Sequence, residues 1–164
     1  MSTWIPIPTW DGLHPIIIHF PIALLLIAPL FVLIGIIQFQ KYRTFCLSAL
    51  ILMVAGSIAA WIAVATGEAA GQMVIERTPE INNAILEHAD FGENTRLLFT
   101  VLTVIYALML ALPLKFRAIL PRTLIVLHLL FLLLYGASCL VLMRTGHLGG
   151  RLVHALGVHA MMEK

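Results

Sequence analysis

"LHPIIIHFPIALLLIAPLF", residues 13–31, is an almost uninterrupted apolar run that carries two histidines, His14 and His19, at its beginning. It leads into a predicted span, residues 16–37, that contains no Asp, Glu, Lys or Arg. A helix of that length crosses the ~30 Å hydrocarbon core of a bilayer. Because an ionisable ring is costly inside such a segment, the two histidines are candidate functional residues.

Three further segments have the same character, and they lie at residues 45–66, 97–114 and 124–143. The chain as a whole has 164 residues, of which 61% are hydrophobic and only 11% charged. In lipid, a single segment satisfies its own backbone groups only as a helix. The sequence therefore predicts one all-α domain over residues 1–164, an integral membrane four-helix bundle embedded in the lipid bilayer.

The connections between the predicted spans indicate an orientation. Five cations and no acid lie in the two short connections: Lys41 and Arg43 in the first, and Lys115, Arg117 and Arg122 in the second. Short cation-rich loops remain in the cytoplasm. We therefore expect both termini and residues 67–96 to lie outside the inner (plasma) membrane, with the first span as an uncleaved anchor because its apolar stretch is too long for a signal peptide.

Several functional classes are disfavoured. A net charge of +2 gives no indication of nucleic-acid binding. Cys46 and Cys139 fall at opposite ends of the predicted bundle, so we expect packing roles for them. The spans lack the charged side chains of transport pathways, and no nucleophile stands beside a base. These features favour a non-catalytic, accessory membrane subunit.

The histidines are unevenly distributed. With the predicted topology only His128 lies toward the cytoplasm, whereas six lie at the outer side: His14, His19, His88, His147, His154 and His159. One interpretation is ordinary, since interfacial histidines cost little and the outer segments are longer. The other interpretation is that some of them bind a cofactor or metal.

His19 is the strongest candidate in the first span. It follows His14 by five residues, which places it about 7.5 Å deeper and rotates it by ~140°. Pro21 removes a backbone donor and can bend the helix beside the ring. We therefore expect His19 to point into the bundle as a ligand, or to be a core histidine bonded to a carbonyl. His14 precedes Pro15 and is expected to mark the helix start or to support the ligand.

The loop after the second span predicts a short amphipathic helix on the outer side, residues 79–91. Thr78 is a suitable N-cap, and Gly92 is expected to end the helix before a cap at Asn94 or Thr95 begins the third span. Apolar residues recur at helical spacing, and His88 shares their stripe: Ile81, Ala84, Ile85 and Ala89. His88 is therefore expected to face the bundle.

The segment after the last span supplies a third histidine. Gly149 and Gly150 predict a tight reversal followed by a short apolar helix that folds back, which would bring His147 to the outer mouth of the bundle. Arg144 and Arg151 flank this histidine. Their fixed positive charges are candidates for binding carboxylates or anionic lipid.

Four motifs resemble the "domain of unknown function 2231" family of four-helix membrane proteins: HPIIIHFPIAL, GEAAG, EHADFGENT and TGHLGGRLV. The resemblance covers nearly the whole chain, and the matching positions are His14, His19, Pro21, His88, Gly146, His147, Gly149 and Gly150. It implies an association with Rieske iron–sulfur or cytochrome c type redox proteins. The chain departs from the family pattern where a histidine is expected just before Gly157, because Leu156 stands there.

Three functions remain open. The first is electron transfer by haem b, with His19 joined by His88 or His147 as axial ligands and an arginine near the propionates. The second is a copper or zinc site in which His19, His88 and His147 are joined by an acid such as Glu68 or Glu87. The third is a cofactor-free structural or partner-binding subunit.

Overall fold

Four long helices form the architecture of the computed structural model, which describes residues 9–75, 77–115 and 121–158. Helices α1 (His14–Ile17) and α2 (His19–Ile37) make up the first span, and the others are α3 (Tyr42–Gln72), α4 (Pro79–Lys115) and α5 (Pro121–His154). Each of the four spans is long and apolar enough to cross a membrane. The predicted all-α four-helix bundle is confirmed.

The first span is interrupted at Ile18, which separates α1 from α2. Pro21 has no N–H and cannot donate to the carbonyl one turn earlier, so the helical ladder is weakened here. The Ile22 N–H still reaches the Ile18 carbonyl at 3.4 Å, and the Ile18 N–H reaches the His14 carbonyl at 3.1 Å. The short first turn that carries His14 is therefore distinct from the rest of the span.

Consecutive helices pack side by side, and α5 closes the ring against α2. The closest approach lies between α2 and α3, where a Cβ on Gly56 would fall only 2.7 Å from the Leu25 side chain. Small residues at helix interfaces allow such packing in lipid, where close van der Waals contact replaces the hydrophobic effect. Fully buried aromatic side chains fill the centre: Phe99, Tyr106 and Tyr135.

Two helices run further than the sequence predicts. Helix α4 continues through Gly92 without a break, and α5 continues through Gly149 and Gly150 without a reversal. The predicted separate helix over residues 79–91, the cap at Asn94 or Thr95 and the fold-back after the last span are therefore wrong. A glycine inside a helix costs only about 1 kcal/mol, which tertiary packing offsets easily. The N-cap is confirmed, because the Ile81 N–H donates to the Thr78 hydroxyl at 3.2 Å.

Candidate functional site

A cavity of about 430 Å³ lies at the end of the bundle where α1 begins and α3 ends. Residues of all five helices line it, and most of them are apolar or glycine. The histidines and charged residues in its wall are His14, Glu68, Arg77, His88 and Glu93. We call it the histidine cavity, and we call this end of the bundle the histidine end.

His14 reaches the cavity from α1 and is held by α3. Its ring Nδ1 lies 2.9 Å from the Ala63 carbonyl oxygen and 3.3 Å from the Thr66 hydroxyl. A carbonyl oxygen only accepts hydrogen bonds, so Nδ1 carries the hydrogen and donates it. In the neutral ring, Nε2 then keeps its lone pair and is an acceptor or a metal ligand.

His88 is held in the same manner by a different pair of helices. Its ring projects from α4, and Nδ1 donates to the Thr145 carbonyl oxygen on α5 at 3.2 Å. The neighbouring Thr145 hydroxyl bonds to the Thr95 hydroxyl at 2.7 Å, which fixes α5 against α4. In the neutral ring, Nε2 of His88 is therefore also free of hydrogen, and the predicted orientation of His88 toward the bundle is confirmed.

The two imidazoles form one constellation. Their ring centroids are 6.2 Å apart, and their planes are inclined by 75°. His14 and His88 are 74 positions apart in the sequence, and they come together because α1 and α4 both pack against α3. We call them the histidine pair.

Two glycines make room for the pair. A Cβ on Gly67 would lie 2.8 Å from Cε1 of His14, and a Cβ on Gly149 would lie 3.0 Å from Cε1 of His88. Ordinary van der Waals contact begins at 3.4 Å, so either side chain would displace a ring. Each imidazole is thus seated against a helix surface that lacks a side chain.

Comparison with known protein families gives a match over residues 11–162, to a family described as a predicted membrane protein, DUF2231. The chain belongs to the DUF2231 family. This description and the four apolar helices together identify a multi-pass membrane protein. Curated proteins gave no match, and neither did solved structures.

In this DUF2231 chain, His19 and His147 lie apart from the cavity. The His19 side chain is exposed and does not line the cavity, so its predicted orientation into the bundle is wrong. Since His14 faces inward, the ~140° rotation between the two residues turns His19 outward. His147 is exposed as well, because the continuous α5 places it ~200° around the helix from Gly149, which faces the cavity.

The predicted trio of metal ligands is not assembled. The structure brings His88 together with His14 and not with His19 or His147. Within residues 9–75, 77–115 and 121–158, no group of three or more His, Cys, Asp or Glu side chains could hold a metal ion. A bare-ion site of three imidazoles therefore does not form among these residues.

The two arginines bind carboxylates, which is one of the roles expected for them, but they do so outside the cavity. Arg144 pairs with Glu87 at 2.9 Å and Arg151 with Glu80 at 3.7 Å, and neither arginine lines the cavity. Both pairs join the first turns of α4 to the last turns of α5. The cavity is instead lined by Arg77, which follows α3 and belongs to no recognisable sequence motif.

His128 lies far from the histidine pair. It is buried on α5 and bonds to Tyr42, which begins α3, whereas His14 bonds to Ala63 near the other end of that helix. The 21 residues between these two positions on α3 correspond to roughly 30 Å. His154 is exposed on the last turn of α5, and His159 lies outside the described residues. The predicted separation of His128 from the other histidines is confirmed for those that the structure describes.

Proposed function

We propose that this protein is a membrane-integral haem-binding subunit of an electron-transfer system, in which His14 and His88 would hold the haem iron. The observation that carries the proposal is that both Nδ1 hydrogens are donated to backbone carbonyls. Such bonds fix the tautomer and orientation of metal-binding histidines in known sites. The haem would supply one-electron chemistry at its iron.

The number of ligands favours haem over a bare ion. Haem iron needs only axial ligands from the protein, because the macrocycle supplies the others. A structural zinc ion takes four ligands, and a catalytic zinc ion takes three from the protein. The histidine pair alone supplies two, so it meets the requirement of a bis-histidine haem and falls short of a zinc site.

The spacing of the two rings is also suitable. If a metal were bound by one nitrogen of each ring at about 2.0 Å, the ring centroids could lie up to roughly 6 Å apart. The observed separation is 6.2 Å. The separation of the ring centroids is therefore compatible with a metal shared by the two rings.

The cavity has the size and lining of a cofactor site. Pockets for small molecules and cofactors enclose about 300–1,000 Å³ and are mainly apolar, with a few polar groups. The histidine cavity, at about 430 Å³, lies in that range and greatly exceeds what one ion needs. The Arg77 guanidinium donates to the Val74 carbonyl, which holds it at the cavity wall. From there its positive charge would bind an acidic group of the cofactor.

The orientation belongs to the same proposal. Because short cation-rich connections stay in the cytoplasm, the histidine end faces outward and both termini are extracytoplasmic. Electron donors and acceptors on that side would be periplasmic or respiratory redox proteins of the Rieske or cytochrome c type. The chain itself would hold the haem, exclude water from the iron and present one edge of the bundle to such a partner.

The test is spectroscopic. The protein is expressed with added haem, purified in detergent, and measured by reduced-minus-oxidised absorption and by elemental analysis. We expect a b-type spectrum that is lost in His14→Ala and in His88→Ala. His19→Ala and His147→Ala are the matched controls, because both rings are exposed away from the cavity, and both variants should keep the spectrum.

Arg77→Gln and Arg144→Gln form a second matched pair. The first removes a charge from the cavity wall and should weaken haem retention, whereas Arg144 is paired outside the cavity and its loss should leave haem content unchanged. A folded wild-type protein without haem, or a spectrum that survives loss of His14 and His88, would refute the proposal. Bound metal without haem would indicate the copper or zinc alternative. A protein that carries no haem and no metal would indicate a structural subunit.

A further inference from the structure

A group of charged and aromatic side chains lies between α3 and α4, toward the histidine end of the bundle. It consists of Trp61 on α3 and of Glu93, Arg96 and Thr100 on α4, and we call it the Arg96 group. Of these four residues only Glu93 also lines the histidine cavity. The proposed haem site uses none of their side chains as ligands, so their arrangement has to be explained separately.

Trp61 holds the arginine in place. The indole Nε1 of Trp61 donates to the Thr100 hydroxyl at 3.0 Å, and this hydroxyl donates to the Arg96 carbonyl oxygen at 2.7 Å. The guanidinium carbon of Arg96 lies 4.2 Å from the centroid of the Trp61 ring, within the range of a cation–π contact. The guanidinium is therefore positioned by α3 as well as by its own helix.

Arg96 and Glu93 are charges of opposite sign that do not satisfy each other. The Glu93 carboxylate lies 3.7 Å from Nη2 of Arg96, which is longer than a hydrogen bond. Among the residues that the structure describes, Nε of Arg96 has no hydrogen-bond partner. Arg144 differs, because its guanidinium bonds the Glu87 carboxylate at 2.9 Å. Arg96 and Glu93 therefore remain able to bind a ligand that carries both charges.

The order of these residues along α4 matches the order of the groups in a phospholipid. Leu97 and Val101 lie at the start of the predicted span over residues 97–114, and they are 48% and 56% exposed. Arg96 directly precedes that span, and Glu93 lies one turn further from it. Residues three and four apart share a helix face. From the membrane outward, this face presents an apolar surface, a cation and an anion.

We propose that the Arg96 group binds the headgroup of a phosphatidylethanolamine molecule from the surrounding bilayer. The Arg96 guanidinium binds the lipid phosphate, and the Glu93 carboxylate binds the primary ammonium. The acyl chains lie along the apolar surface beside Leu97 and the half-exposed Trp61 ring. A planar guanidinium is well suited to a phosphate, because its N–H donors match two phosphate oxygens.

Charge and hydrogen bonding select this headgroup. Phosphatidylglycerol carries an anion and no cation, so Glu93 would repel it. Phosphatidylcholine carries both charges, but its quaternary ammonium has no N–H to donate to Glu93. Phosphatidylethanolamine supplies the anion, the cation and the N–H donors. The ordinary interpretation of Arg96 and Glu93 is a weak ion pair on a helix surface, which predicts no preference among the three lipids.

Native mass spectrometry of the purified protein in non-ionic detergent tests the proposal. Wild type is titrated separately with phosphatidylethanolamine, phosphatidylcholine and phosphatidylglycerol that carry identical acyl chains. We expect the first phosphatidylethanolamine molecule to bind about fivefold more tightly than either other lipid. Soluble phosphoethanolamine at equal concentration should not displace it, because a headgroup without chains does not use the apolar surface.

The variants have matched controls. Glu93→Gln should abolish the preference for phosphatidylethanolamine and strengthen the binding of phosphatidylglycerol about threefold, since the repelling charge is gone. Arg96→Gln should weaken phosphatidylethanolamine binding about tenfold through the lost hydrogen bonds to phosphate. Glu87→Gln and Arg144→Gln are the controls, because these two residues pair with each other between α4 and α5. Both should leave the lipid preference unchanged.

Three results would overturn the proposal. One is equal affinity of wild type for the three lipids, and another is tighter binding of phosphatidylglycerol than of phosphatidylethanolamine. The third is displacement of the lipid by phosphoethanolamine at equal concentration. These measurements are made on wild type, so misfolding of a variant does not leave the question open. The assay needs no haem, so failure of the lipid proposal and failure of the haem proposal are separate outcomes.

Discussion

Gly67→Ala is the sharpest test of how the histidine pair is seated. The added Cβ would lie 2.8 Å from Cε1 of His14, so the ring must move by about 0.6 Å to restore an ordinary 3.4 Å contact. Such a movement is comparable to the tolerance of the 2.9 Å hydrogen bond to the Ala63 carbonyl. We expect a cost of about 1–3 kcal/mol from overpacking, partly offset by the ~1 kcal/mol advantage of Ala over Gly in a helix.

The matched control is Gly150→Ala, because nothing lies within 4 Å of a Cβ at that position. This variant should be unchanged or up to ~1 kcal/mol more stable, since only the helix preference acts. Thermal unfolding in detergent is monitored by the reaction of the buried Cys46 with a thiol-specific fluorophore. The haem content of each variant is measured as well. Equal stability and equal haem content of Gly67→Ala and Gly150→Ala would refute the packing argument.

Two further predictions concern topology and the cavity wall. In intact cells, a membrane-impermeant thiol reagent should label Met73→Cys and not Gln40→Cys, because the Lys41 connection is predicted to be cytoplasmic; the reverse pattern would invert the orientation. Ile85→Asp should destabilise the histidine end by about 2–4 kcal/mol, since it replaces a half-buried apolar side chain in the cavity wall by a charged one. Asn83→Asp on the exposed side of α4 should change the free energy of unfolding by less than about 0.5 kcal/mol. Similar losses of stability in both variants would mean that α4 does not pack by the face that carries Ile85.

The number and place of the helices could be predicted from the sequence because they depend on local properties. A run of about 20 apolar residues is a helix in lipid whatever surrounds it. The inward direction of His88 could be predicted for a similar reason, since its stripe of apolar neighbours lies within one helix. The extent of α4 and α5 could not be predicted from the sequence, because the free-energy cost of a glycine inside a helix is smaller than the packing energy of the bundle.

The choice between His14 and His19 could not be made from the sequence. The first span is apolar on all sides, so its own pattern does not say which face turns toward the other helices. The facing is set by close approaches to distant segments, above all Leu25 against Gly56 and His14 against Gly67. Neither contact produces a periodic pattern in the sequence. The sequence favours His19 because this residue lies deeper in the span, but depth in the span does not determine which way a side chain points.

The anchoring of the two imidazoles has a mechanical consequence. His14 ties α1 to α3 through the Ala63 carbonyl, and His88 ties α4 to α5 through the Thr145 carbonyl. At the histidine end, the α1–α3 pair therefore meets the α4–α5 pair, and each pair holds one of the two rings. A metal centre bound by both rings would link the two helix pairs. Whether the site is occupied would then determine how rigid the histidine end is. Backbone amides at the ends of α3 and α5 would then exchange more slowly in the loaded protein.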